Sequence, residues 1–135
     1  MGNKKKIKNL ELVRNLFNQW NKYLKSKSAK TMASFYSDDC SFLPTLNKEL
    51  KRWKEWAKEY FEHFLEKNPI WKIIEDEVHE IGNDTYVHHG LYDFEVDWGE
   101  KGKRKIAKAR FTYIWKKNDE KYEIIHHHSS LKPDE

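Results

Sequence analysis

The sequence predicts an α+β fold, with residues 1–135 forming a single domain, and three observations carry that prediction. Apolar residues recur at steps of three and four through the first half of the chain. From residue 70 onward the period changes to two. A run of helices followed by a run of strands belongs to the α+β class rather than to alternating α/β architectures.

Each element follows in order. Residues 6–26 place Ile7, Leu10, Val13, Phe17, Trp20 and Leu24 on one side, predicting a long amphipathic helix with Lys and Asn on the other. Ser28 can cap a second, short helix carrying Met32, Phe35 and Tyr36, which Asp38 and Asp39 would end. Residues 40–44, CSFLP, read as a brief strand stopped by Pro44. The helical period returns over 53–67 through Trp53, Trp56, Ala57, Tyr60, Phe61, Phe64 and Leu65, and Asn68-Pro69 closes it. Strands are predicted at 70–81, 85–98, 103–117 and 121–131, separated by GND, GEKG and KND turns.

Composition narrows the function classes. Six Trp, seven Tyr and seven Phe in 135 residues exclude a disordered chain and support a core that needs no staples. The net charge is +4, with 15 basic and 8 acidic residues up to Lys67 and 11 and 14 after it. The dense basic runs, KKKIK at 4–8 and KGKRK at 101–105, read as a solvated start and a loop edge, so no nucleic-acid partner is expected. Cys40 is the single cysteine, which fits a reducing compartment. With neither a signal-peptide pattern nor a run of membrane-spanning length, a cytoplasmic location and no membrane partner are expected.

Strand parity adds a partner. In IAKARFTYIW (106–115) one face carries Ala107, Ala109, Phe111, Tyr113 and Trp115, and the other Ile106, Lys108, Arg110, Thr112 and Ile114. Neither face is simply solvated, and three helices can cover only one side. The second cover is expected to be another copy of the chain, making a homodimer or higher homo-oligomer through the sheet.

Several strings carry a family resemblance. FYSDDCSFLPTL (35–46) resembles the Y-A-D-D-A-x-x-x-P segment of the nuclear transport factor 2-like (NTF2-like) superfamily. YFEHFLEKNP (60–69), GLYDF (90–94), ARFTYIW (109–115) and HHSSLKP (127–133) are similar to a narrower group within it. That group comprises the calcium/calmodulin-dependent kinase II association-domain-like proteins and the SgcJ/EcaC, or SnoaL-like, proteins. The resemblance implies a cone: three N-terminal helices on a strongly bent, mostly antiparallel sheet that encloses a pocket. It makes the histidine triplet the native last strand, and it implies a pocket lined with arginines that recognises carboxylates. The ketosteroid-isomerase roles known on this fold are absent here. Pro44 stands at the position of the base, Trp20 at that of the tyrosine, and no acidic residue occurs in 103–118.

The polar candidates are weighed on this frame. His126 and His128 share one strand face and His127 takes the other. The pair could line the pocket as general acid or base, or hold a metal with His88 or His89 as a third ligand; pocket lining is the reading adopted, with no metal and no cofactor expected. Arg110 could meet an anionic ligand or pair with Asp93 or Glu95 across the sheet, and Arg104 is the second arginine candidate. Asp93 reads as a cross-strand partner, Glu62, His63 and Glu66 as solvated, and Cys40 as a small core residue. Trp20, Tyr60, Phe64 and Tyr92, with Trp56, read as core and pocket wall together. The expected function is a homo-oligomeric module whose aromatic pocket binds a small anionic molecule; the alternative is a small SnoaL/SgcJ-like enzyme using a pocket histidine as general acid or base on a hydrophobic carbonyl substrate. A scaffold that binds a protein partner is the third reading.

Overall fold

A computed structural model describes residues 2–45, 49–100 and 102–133. Its order is α1 (Gly2–Tyr23), α2 (Ala29–Ala33), β1 (Tyr36–Leu43), β2 (Lys51–Arg52), α3 (Lys54–Phe64), β3 (Ile70–Gly82), β4 (Thr85–Asp97), β5 (Arg104–Asn118) and β6 (Lys121–Leu131). The strands form one sheet in the order β2-β1-β6-β5-β4-β3. All neighbours are antiparallel except β1 and β6, which run parallel. This is the α+β cone the sequence predicts. Among the described residues no helix is long and apolar enough to cross a membrane.

Local chemistry explains the helix ends. Short 3₁₀ turns at Leu24–Ser26 and Leu65–Lys67 finish α1 and α3, each followed by a left-handed residue, Lys27 and Asn68. Ser28 caps α2 as expected, its Oγ accepting from Thr31 N at 3.1 Å. The second helix stops at Ala33, however, and Tyr36 opens β1 instead of closing α2. The cause lies 90 residues away in the sequence order: Ile124 N donates to Phe35 O at 2.7 Å, and Tyr36 stands beside Ile124 on β6. Asp38 and Asp39 therefore sit within a strand. The two-residue β2, which pairs with β1, carries no periodic signal of its own.

α1 covers the edge strand β3. Asn21 clamps Trp71 by donating to its carbonyl at 2.6 Å and accepting from its amide at 3.1 Å, so an exposed ladder group is satisfied by a helix side chain. Arg14 and Lys5 add ion pairs to Asp76 and Glu80 on β3. Val13, Phe17, Trp20 and Leu24 of α1, with Ala57, Phe61 and Leu65 of α3, pack onto Tyr92, Phe111, Tyr113 and Trp115 from the sheet. Each large ring buried there contributes about 1.5–3 kcal/mol.

Of four register shifts among the described strands, two lie beside the core. Ile74 is an extra residue in β3, between the pairs Ile73–Tyr92 and Glu75–Leu91. Beside it a Cβ on Gly90 would lie 2.0 Å from Glu75 O, so the strands approach there as only glycine allows. Ile125 is the extra residue in β6, between the pairs Trp115–Ile124 and Ile114–His126. The second bulge decides which histidines enter the cone.

Candidate functional site

The parity of β6 places the site. Ile124 points inward, fully buried. An unbroken period of two from Ile124 would turn His126 and His128 inward as well. The bulge at Ile125 resets the phase, so His127 and Ser129 face the core while His126 and His128 face outward. The pocket-lining reading of His126 and His128 is thereby corrected in position: they share the outer face with Arg110, which stands opposite Ser130 and Leu91.

His127 is 2% exposed and lies between two rings, Phe42 at 4.4 Å and Tyr113 at 4.0 Å between centroids. Tyr36 Oη lies 3.0 Å from its Nδ1, and Tyr92 Oη 3.5 Å from its Nε2. Tyr92 spends its own hydrogen on Ser129 Oγ at 2.7 Å, and Ser129 meets Thr45 Oγ1. One assignment satisfies the set: Tyr36 donates to Nδ1, and Nε2–H faces the Tyr92 oxygen. Burial holds the imidazole well below its ordinary pKa, with His126 and His128 adding to the effect, so it is neutral. Burial likewise pushes Tyr92 up to about 12 and raises Tyr36, Tyr60 and Tyr113, so these phenols keep their protons.

Among the described residues, not every donor near the cluster has a partner. Trp20 Nε1, Trp71 Nε1 and the Tyr113 hydroxyl are buried without a hydrogen-bond partner. The Trp20 indole lies near the Tyr36 oxygen, and the Trp71 indole and Tyr113 hydroxyl near that of Tyr92, yet none of the three meets hydrogen-bond geometry. Trp20, Trp71, Tyr92, His127 and Ser129 line a cavity of about 10 Å³, space for about one water molecule. Thr45 and Tyr60 form part of its wall and also border a wider vestibule of about 610 Å³, lined further by Lys51, Trp56, His63 and Phe64. Lys51 is held there by Glu49 at 2.9 Å and lies over the Trp56 ring at 4.0 Å.

A second polar relay anchors the far side of the core. Asp76 accepts from Arg14 Nε at 2.9 Å and Nη2 at 2.5 Å, and from His88 Nε2 at 2.8 Å. The Arg14 bonds lower the Asp76 pKa most; burial lowers that of His88 although Asp76 opposes it. His88 Nδ1 is left as a buried, unpartnered acceptor.

Among the sequence-predicted wall residues, Trp20 and Tyr92 touch the inner cavity, Tyr60 separates it from the vestibule, and Phe64 lines the vestibule while packing on Trp71 and Phe94. Glu62 and His63, read as solvated, border the vestibule too. Arg104 is tied up outside: it bonds Asp97 at 2.6 Å, lies 3.5 Å from Glu95, and donates to the Asn68 carbonyl. Asp93 stands across from Lys72 and Lys108, not from Arg110. His127, Ser129, Thr45, Tyr36 and Trp71 are the residues that sequence reasoning missed. The one available signal was the alternation in IHHHSS, whose phase a sequence does not reveal.

The sequence matches the calcium/calmodulin dependent protein kinase II association domain family over residues 9–133. The chain belongs to that family. No curated protein matches it. A candidate association domain of the same kind from Xanthomonas campestris is 35% identical, with a TM-score of 0.86 over 90% of this chain and 86% of that one. An NTF2-like superfamily protein from Salmonella enterica is 16% identical, with a TM-score of 0.76 over 92% and 91%. A candidate scytalone dehydratase from Novosphingobium aromaticivorans is 7% identical, with a TM-score of 0.81 over 98% and 89%. The last two establish the fold alone. Neither Arg110 nor Arg104 reaches the inner cavity, whose polar groups gather around His127; Arg110 lines a separate cleft of about 500 Å³ with Val87, His89 and Leu91.

Proposed function

We propose that this association domain is a self-assembling module whose cone binds a small carboxylate or carbonyl compound through neutral donors. The observation that carries the reading is the unpartnered set Trp20 Nε1, Trp71 Nε1 and Tyr113 Oη beside His127. Buried donors without partners are costly, about 1–3 kcal/mol each, and an acceptor oxygen entering among them recovers that cost. A ligand enters from the vestibule past Tyr60 and Thr45, because the inner space alone holds no more than a water. The vestibule carries Lys51 and Lys67 beside Glu59 and Glu62, so its formal charge is balanced and selection rests on the inner donors.

Self-assembly rests on family membership and on the outer sheet face, where half-buried Val87, Leu91 and Ile114 lie among His126, His128 and Arg110. A second copy covers such a mixed face more readily than solvent does. The enzyme reading keeps one observation, a neutral imidazole bonded between the Tyr36 and Tyr92 phenols, but its one lone pair is taken by Tyr36 and its pKa is held low, so a general-base role needs Tyr36 to move away. It transfers the role given to His126 and His128 to their inward neighbour.

Tryptophan emission reports directly on the cavity, since Trp20 and Trp71 line it. Titration with aliphatic and aromatic carboxylates is expected to give a saturable change for one of them, lost in His127→Phe. Emission that stays flat across the series at millimolar ligand removes the binding reading. Light scattering after gel filtration is expected to give a dimer or larger ring, and a monomer at all concentrations removes the assembly reading.

A further inference from the structure

The outer face of the β3–β4 ladder gathers three further donor groups, far in the fold from the interior cluster. Glu77 and His79 stand one pleat apart on β3, and His89 stands directly opposite Glu77 on β4. His79 Nε2 lies 3.4 Å and His89 Nε2 3.9 Å from one oxygen, Glu77 Oε2. The two imidazole rings stack, with centroids 5.4 Å apart and planes at 11°. One ligand atom from each residue lies within 4.8 Å of the other two.

We propose that Glu77, His79 and His89 bind a divalent first-row transition ion such as Zn²⁺. Two ligands held at about 2.1 Å from a tetrahedral ion stand about 3.4 Å apart. The His79–Glu77 distance already has that value, His89 lies 3.9 Å from the same oxygen, and rotation of the stacked imidazoles brings both ring nitrogens to bear on one ion. Two imidazoles and one carboxylate select a borderline ion over Mg²⁺ or Ca²⁺, which prefer all-oxygen sites. In the free monomer water completes the coordination, because Glu77 and His79 are exposed and His89, which lies between Val87 and Leu91 on the face proposed for self-assembly, is partly so.

The backbone beneath the site is fixed. Next to His89, His88 points inward to its bond with buried Asp76, and Gly90 packs against the Glu75 carbonyl. The ladder register at this point therefore cannot slip, and the three side chains start from a rigid base. Surface pairs of this kind contribute about 0–1 kcal/mol to stability, so the convergence of two imidazoles on one oxygen has little structural value without an ion.

The test is isothermal titration of the full chain with Zn²⁺ in a non-coordinating buffer, with Co²⁺ absorption as a second readout of geometry. One equivalent per chain is expected, with Co²⁺ bands of a nitrogen- and oxygen-ligated site. His79→Gln and His89→Gln, which keep size and polarity, are each expected to weaken binding by at least about tenfold, as is Glu77→Gln. His126→Ala and His128→Ala are expected to leave it unchanged. Failure to bind Zn²⁺ at millimolar concentration overturns the proposal. So does binding that survives both glutamine variants, or binding that is lost with His126 or His128 instead.

Discussion

The two faces of the sheet at β6 are built from the same residue type and do opposite things. His127 on the inner face is sealed between Phe42 and Tyr113, neutral, and bonded to Tyr36. His126 and His128, its chain neighbours, stand half-buried on the outer face, where His126 Nδ1 lies 2.8 Å from the Ser41 hydroxyl. Identical side chains thus differ in accessibility and in hydrogen-bond partners through a single inserted residue, Ile125. Position relative to a bulge, rather than residue identity, separates the inward-facing group from the outward-facing ones.

The contrast can be broken most severely from inside. Trp20→Ala removes a fully buried ring that packs on Phe17, Phe61, Trp71 and Tyr113, and it is expected to lower stability by about 3–5 kcal/mol in urea unfolding. A loss below about 1 kcal/mol contradicts the inner face as the core.

His127→Phe is the sharper probe. The ring stack survives, but Tyr36 loses its acceptor, at an expected cost of about 1–3 kcal/mol. Carboxylate binding is expected to disappear in the same variant, whereas His126→Ala retains it.

Acid probes the buried histidines, and burial shifts half-buried His126 in the same direction. His127 and His88 are held below their ordinary pKa in the folded chain, so above about pH 6.5 both states are neutral and their stability is fully present. As the pH falls below that value the unfolded chain takes up protons that the folded chain refuses, and stability is lost toward the folded pKa values. Each such group contributes a slope of about 1.4 kcal/mol per pH unit in that window. Urea midpoints between pH 7.5 and 5.5 are expected to fall less in His127→Phe than in the parent; equal slopes place the sensitive group elsewhere. At the alkaline end Tyr92, pushed up to about 12, adds a loss of stability above pH 10, where the unfolded phenol ionises first.

The smallest effect on folding is expected from the outer face. Ile106→Ala and His126→Ala should change monomer stability by no more than about 0.5–1 kcal/mol, since Ile106 is 57% exposed and His126 half-buried. Ile114→Arg, on the same outer face, should instead reduce the mass seen by light scattering. An unchanged mass locates self-association on another surface.

The sequence alone determined what local periodicity and turn chemistry can encode. The faces of α1 and α3, the Ser28 cap, the four long strands to within one residue at each end, and the separation of His127 from His126 and His128 were all legible, because each depends on spacing within one element. The family strings added the cone. Tertiary structure decided the rest. β1 became an eight-residue strand because β6 offered it a parallel partner, a pairing some 90 residues apart that no local propensity reports. The Ile125 bulge, visible only against β5, chose which histidine faces the core. Glu77, His79 and His89 met because the register of β3 on β4, pinned at Gly90, set them opposite one another. A strand specifies that its side chains alternate; its neighbours specify the phase, and in this protein the phase is where the chemistry lies.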